Sequence, residues 1–144
     1  MAILDNEGLF SDDQVVTTSA ASTNQIDKGA PQTPVRGAAP LESDWGKGRA
    51  IAVEAIVTAA FAGGTSIQVD LEVDDDVAFG TPKVVWSSEV IPLASLVQGY
   101  RFNVGSFPEG TNERYARLNY TVVGTMSGGG AITAGVAAGL QTNR

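Results

Sequence analysis

The 144-residue chain contains no cysteine and no histidine. Without cysteine it forms no disulfide bonds, and it has neither thiolate ligands for a metal ion nor a thiol nucleophile. Without histidine it lacks the commonest general base near neutral pH and the commonest ligand of transition metals. These two absences exclude most catalytic and zinc chemistry, and we expect no cofactor.

Basic residues are also scarce. Nine Lys and Arg residues stand against 16 Asp and Glu residues, which leaves a formal net charge of −7. A surface of this charge repels nucleic acid and anionic membranes. The longest apolar stretch, 50–62, is interrupted by Glu54 and is too short to span a bilayer, and the N-terminus lacks the pattern of a secretory signal. We therefore expect neither a nucleic acid nor a membrane as a partner.

What the chain has instead is a globular composition with many turns. Hydrophobic residues make up 43% of it, and 17 glycines and 6 prolines punctuate the apolar segments. The clearest segment is 114–123, where apolar and polar positions alternate with the period of a half-buried β-strand. Its inward-facing residues are predicted to be Ala116, Leu118, Tyr120 and Val122. Its outward-facing residues are predicted to be Tyr115, Arg117, Asn119 and Thr121.

Similar but mostly shorter patterns recur along the chain and predict an all-β fold. Segments 66–73 and 83–90 flank an acidic loop and suit a hairpin. The remaining predicted strands are 14–19, 24–28, 49–58, 100–104 and 131–140, and 93–97 reads as a single helical turn. About eight strands with no long helix predict a two-sheet antiparallel sandwich of the jelly-roll type.

The domain boundaries follow from the same patterns. Residues 1–12 read as an irregular N-terminal arm, and residues 13–144 as the jelly-roll domain. Within that domain, residues 30–48 form a long Pro- and Gly-rich loop without periodicity, and such loops are usually functional or disordered. One interpretation is a mobile surface loop. The other is an arm that lies on a neighbouring subunit, with Trp45 as its anchor.

Two acidic features permit alternative functions. The consecutive Asp74–Asp76 residues could supply oxygen ligands to calcium, but they lack EF-hand spacing, and a solvated hairpin loop is the preferred interpretation. Asp70 and Glu72 share one face of a strand, which leaves open a carbohydrate-binding β-sandwich domain. That alternative requires exposed aromatic side chains beside the polar groups.

The best candidate for a contact surface is basic and aromatic. Arg and Tyr are enriched at interface hot spots, and several of the few basic residues concentrate around the long strand. The alternative is a solvated face whose polar groups are already satisfied. The interface candidates are Trp45, Arg101, Arg114, Tyr115, Arg117 and Asn119.

Several short stretches, in this order and spacing, resemble a phage capsid family, the Bbp16-like structural proteins of tailed bacteriophages. They are Leu9-Phe10-Ser11-Asp12, Ala21-Ser22-Thr23-Asn24 with Ile26-Asp27, Val69-Asp70-Leu71, Asp75-Asp76-Val77-Ala78-Phe79, Ile91-Pro92, Gly99-Tyr100-Arg101-Phe102, 114–120 and Thr133-Ala134-Gly135.

The resemblance implies a structural role and no enzymatic activity. It implies a jelly-roll cement or decoration protein, made in the host cytoplasm and located on the outer surface of the capsid. Its implied partner is the major capsid protein. We also expect a homo-oligomer, a dimer before a trimer, because the sheet edges of a sandwich need to be covered or paired.

Overall fold

The computed structural model describes residues 4–138, and in this range the chain is built from β-strands with one short 3₁₀ turn, Leu93–Ser95. The all-β prediction is confirmed. The strands are β1 Leu4–Val15, β2 Ala20–Ala21, β3 Ile26–Asp27, β4 Ala52–Ala59, β5 Ser66–Asp74, β6 Lys83–Ser87, β7 Ile91–Pro92, β8 Arg101–Phe102, β9 Tyr115–Val123 and β10 Ala131–Ala137.

The strands form two antiparallel sheets. The first sheet has the order β1-β10-β4-β8. The second has the order β2-β9-β5-β6, with β3 beside β2 along β9 and β7 beside β6 along β5. The chain repeatedly crosses from one sheet to the other, and its first and last strands are neighbours in the first sheet. This arrangement of two interleaved Greek keys is the jelly roll predicted from the sequence.

The central pair of the second sheet, β5 and β9, defines the core. The two strands are in continuous register from Ser66↔Val123 to Asp74↔Tyr115. The inward-facing side chains of Leu118 and Tyr120 are completely buried, as the alternation predicted. From the first sheet, β4 and β10 contribute further side chains to the same core.

The N-terminal boundary was predicted incorrectly. Residues 4–12 belong to strand β1, which pairs with β10 through a register interrupted by three shifts. Phe10 is fully buried, and the Ser11 hydroxyl is hydrogen-bonded to the Tyr120 hydroxyl at 2.7 Å across the sandwich. An irregular arm is excluded for these residues because they are tied to both sheets. The strand ends at Val15, so the strand predicted at 14–19 is confirmed only for residues 14–15, and its predicted bounds are wrong.

The last strand, β10, lies inside its sheet and not at an edge. The open outward face at Gly135 is filled by the chain itself, since a Cβ atom at this position would lie 2.7 Å from the carbonyl oxygen of Gly8. The close approach that this glycine permits is therefore made by β1. The end of the predicted strand, including Gly139, lies outside the described residues.

Candidate interaction surface

The outer face of the second sheet carries the polar residues of β5 opposite those of β9. The register places Glu72 opposite Arg117 and Asp70 opposite Asn119. The Arg117 Nε and Nη2 atoms both lie 2.9 Å from Glu72 Oε2, and its guanidinium carbon lies 4.1 Å from the ring centroid of Phe79. Arg117 is thus committed to contacts within the chain, and Asn119 is half-buried beside it.

The acidic loop after β5 folds back over this face. Asp74 accepts hydrogen bonds from the backbone amides of Asp76 and Thr81, each at 3.0 Å, and Asp76 accepts one from Ala78. These carboxylates therefore shape the loop. Among residues 4–138, no group of three or more acidic side chains is placed to hold a metal ion.

Loops from several parts of the chain meet at one end of the sandwich, which we call the fastened end (residues 27–29, 43–46, 74–82 and 108–115). Arg114 forms a bidentate ion pair with Asp27, in which Nε and Nη2 donate to Oδ1 and Oδ2, each at 2.7 Å. The Arg114 backbone amide donates to Asp75, and its guanidinium group lies over the ring of Tyr115 at 4.9 Å. A pair of this geometry holds two loops in a fixed relation.

Trp45 lies inside the fastened end and not on the surface. Only 8% of its area is exposed, and its ring stacks on Phe107 with the centroids 4.8 Å apart. Its indole N–H donates to the Glu113 carbonyl at 2.7 Å. The hypothesis that Trp45 anchors an arm on a neighbouring subunit is therefore wrong for this structure, because the side chain is used in the chain's own core.

Two residues that the sequence analysis did not single out hold the ends of the long loop. Asp44 accepts hydrogen bonds from the amides of Gly46, Gly110 and Thr111. The Lys28 ammonium group donates to the carbonyls of Ser43 and Asn112. The spacing of Asp44 and Gly46 is the signature of an Asx turn, which could have indicated the first of these roles.

Arg101 lies apart from the other candidates, on β8 at the edge of the first sheet. Its Nε atom is 3.1 Å from Glu54 Oε1. Glu54 is 2% exposed although it points to the outer face of β4, so Arg101 offsets the cost of burying this carboxylate. Of the six predicted residues, the structure brings together Trp45, Arg114 and Tyr115 at the fastened end.

The fastened end should be sensitive to acid. The ion pair with Arg114 is the main reason that the pKa of Asp27 is lowered to about 2, and the Gly110 and Gly46 amides lower the pKa of Asp44. A carboxylate whose pKa is lower in the folded state contributes stability above its unfolded pKa of about 4, and this contribution is lost as the pH falls toward the folded value. We expect the midpoint temperature of thermal unfolding to decrease as the pH is lowered from about 4 to about 2.

The variant Asp27→Asn provides the control for this expectation. It cannot form the ion pair, so it should be less stable than the wild type at pH 6 and approach it near pH 2. Thermal unfolding followed by circular dichroism over this range measures both. Parallel curves for the two proteins at every pH would show that Asp27 does not contribute in this way.

No aromatic side chain is exposed. All Phe, Tyr and Trp residues of the chain lie within residues 4–138, and each is either buried or half-buried. The exposed aromatic platform that the carbohydrate-binding alternative requires is therefore missing from the described structure. No helix in this part of the chain has the length and apolar character needed to cross a bilayer.

The protein is a jelly roll in which charged side chains on the outer faces of both sheets pair with each other. Arg101 pairs with Glu54 on the first sheet, and Arg117 pairs with Glu72 on the second. A family model described as Bbp16 matches residues 10–138. The chain belongs to the Bbp16 family, which indicates a phage-related protein and confirms the resemblance found in the sequence. A search of curated proteins finds no match.

Proposed function

We propose that this chain is a virion structural protein, a cement or decoration subunit that binds the outside of a tailed-phage capsid and stabilises contacts between major capsid proteins. The observation that carries this proposal is the family match, which spans nearly the whole jelly roll. The fold supports it, because jelly rolls are a common architecture of capsid proteins.

The surface chemistry suits a rigid structural subunit better than an enzyme. Arg114 and Arg117 are each held by a carboxylate of the same chain, and the chain has no histidine or cysteine. Such a surface is rigid, which suits a subunit that must hold a fixed position on a lattice. We therefore propose a role without enzymatic activity and without a cofactor.

The net charge supports a position on the outer surface. The inside of a filled capsid faces DNA phosphates, and a subunit with a charge of −7 is repelled from them.

Labelling of intact virions with an amine-reactive biotin reagent tests this location. Lys47 and Lys83 are exposed in the free subunit, and we expect the protein to be labelled in whole particles. The extent to which the major capsid protein of the same particles is labelled, before and after disruption, serves as the reference for the labelling of this subunit. A subunit that is labelled only after the particles are broken would contradict the outer location.

We further propose a homo-oligomer, a dimer before a trimer. The first sheet ends at β1 and β8, and β6 lies at one edge of the second sheet. Strand edges are commonly protected by pairing or by charged residues, and on β6 the charged residue is Lys83, next to the half-exposed Val84. Light scattering at micromolar concentration measures the mass, and a strict monomer would contradict this part of the proposal.

A further inference from the structure

Residues 30–43 form a loop that projects from the fastened end. Its two ends are held by Lys28 and by residues 44–45. Every residue in the range 30–43 is exposed. Val35 is 95% exposed and Leu41 is 66% exposed, and Val35 is the most exposed of the large apolar side chains in the described structure. Single exposed apolar residues are common on protein surfaces, and what distinguishes these two is the way in which the chain holds them.

Both ends of the loop are held by contacts with the rest of the chain. Before its first residue, Lys28 donates to the carbonyls of Ser43 and Asn112, and after its last residue, Trp45 is buried. Within the loop, Leu41 and Gln32 form an isolated bridge, with the Leu41 amide donating to the Gln32 carbonyl at 3.0 Å. The conformational entropy of these residues is thus partly lost before any partner binds, which favours affinity.

The tip of the loop holds a residue in an unfavourable conformation. The Gly37 amide donates to the Pro34 carbonyl at 2.8 Å and closes a four-residue turn. Arg36, at the third position of this turn, has φ of +67°, where glycine or asparagine is usually found. Strained positions of this kind concentrate at functional sites. An arginine here presents a positive charge beside Val35 that glycine would not.

The distal part of the loop carries a single charge, which is positive. Residues 30–41 contain Arg36 and no acid, whereas Glu42, next to the base of the loop, makes the full range 30–43 neutral. Within residues 4–138, no hydrogen bond or ion pair holds the Arg36 side chain. Residues 31–41 therefore combine two exposed apolar side chains, Val35 and Leu41, with an unpaired cation, and their binding site should be an apolar depression beside a carboxylate.

We propose that residues 31–41 are the capsid-binding element, and that Val35 and Leu41 insert into an apolar depression on the major capsid protein while Arg36 pairs with an acidic side chain at its rim. This inference rests on the proposed function. The capsid shell is favoured over a second copy of this chain, because a second copy would have to present an apolar surface to the loop. The other exposed apolar residues of the chain are scattered valines, among them Val15, Val84 and Val123 on strands of both sheets. One loop gives a small contact, and an oligomer that binds several capsid sites adds avidity.

Co-sedimentation with shells assembled from the major capsid protein of the same phage tests the inference. The variants are Val35→Ser and Arg36→Glu, with Val97→Ser as the matched control, because Val97 is also an exposed valine but lies outside the loop. We expect the two loop variants to bind at least about tenfold more weakly, a change of about 1.4 kcal/mol for each factor of ten. We expect Val97→Ser to bind like the wild type.

The variant Arg36→Gly separates strain from binding. Glycine adopts a positive φ without the Cβ penalty, so the thermal midpoint of this variant should equal or exceed that of the wild type. Its affinity for the shells should nevertheless fall several-fold, because the cation is lost. Unchanged affinity in Arg36→Gly and Val35→Ser, with normal binding of the wild type, would overturn the loop's role and leave the proposed function standing.

Two further outcomes are informative. Failure of the folded wild-type protein to bind the shells at all would overturn the proposed function itself. If Val35→Ser bound each shell site normally but sedimented as a smaller species than the wild type, the loop would be a contact between copies of this chain, and the inference would be wrong.

Discussion

Replacement of Trp45 by alanine is expected to lower the free energy of unfolding of the isolated protein by about 3–5 kcal/mol. The substitution removes a nearly buried ring from its stacking contact with Phe107. It also leaves the Glu113 carbonyl without the indole donor, and a lost partner of a buried polar group adds to the cost. The fastened end loses the group around which its loops pack.

Chemical denaturation followed by far-ultraviolet circular dichroism measures this effect without relying on the fluorescence of the residue that is removed. Leu41→Ala is the matched control, because Leu41 lies in the same loop but is exposed, and its substitution should change stability by no more than about 0.5 kcal/mol. If Trp45→Ala unfolded like the wild type and lost only its binding to capsid shells, the residue would be an interface anchor after all.

Trp45 also shows why the candidate site was only partly predictable. The residue occurs in a Pro- and Gly-rich stretch without periodicity, so no pattern in its neighbourhood indicates whether it points into the core. Its partners, Phe107 and Glu113, are more than sixty residues away along the chain, as the separation of 68 between Trp45 and Glu113 illustrates. Only the folded topology brings these loops together.

The strands were predictable to the extent that local pattern determined them. In β5 and β9 the alternation is regular, and the predicted inward positions proved to be buried, except for Val122 near the end of β9, which is half-buried. In the first half of β1, the run Asp5-Asn6-Glu7 has no such alternation, and the strand is held by its pairing with β10. The interruptions of that pairing remove the period-two signal, since each bulge moves the following side chains to the other face.

The ion pairs illustrate a second limit. The sequence indicated that Glu72 and Arg117 face outward, but not that they face each other, because that depends on the register of two strands separated by 45 residues. A free arginine on a strand is a good interface candidate, whereas one paired with a buried carboxylate mainly stabilises its own sheet. The sequence could therefore identify the face, and only the fold could show that its charges were already used.

Replacement of Leu118 by alanine is expected to destabilise the protein by about 2–4 kcal/mol. Leu118 is completely buried at the centre of β9, opposite Leu71 of β5, and its loss leaves a cavity between two sheets that cannot close without moving both. Thr121→Ala, on the opposite face of the same strand, is the control and should change stability by less than about 1 kcal/mol. Urea denaturation of both variants measures the difference. A larger loss for Thr121→Ala than for Leu118→Ala would mean that the faces of β9 are reversed, and with them the register that pairs Arg117 with Glu72.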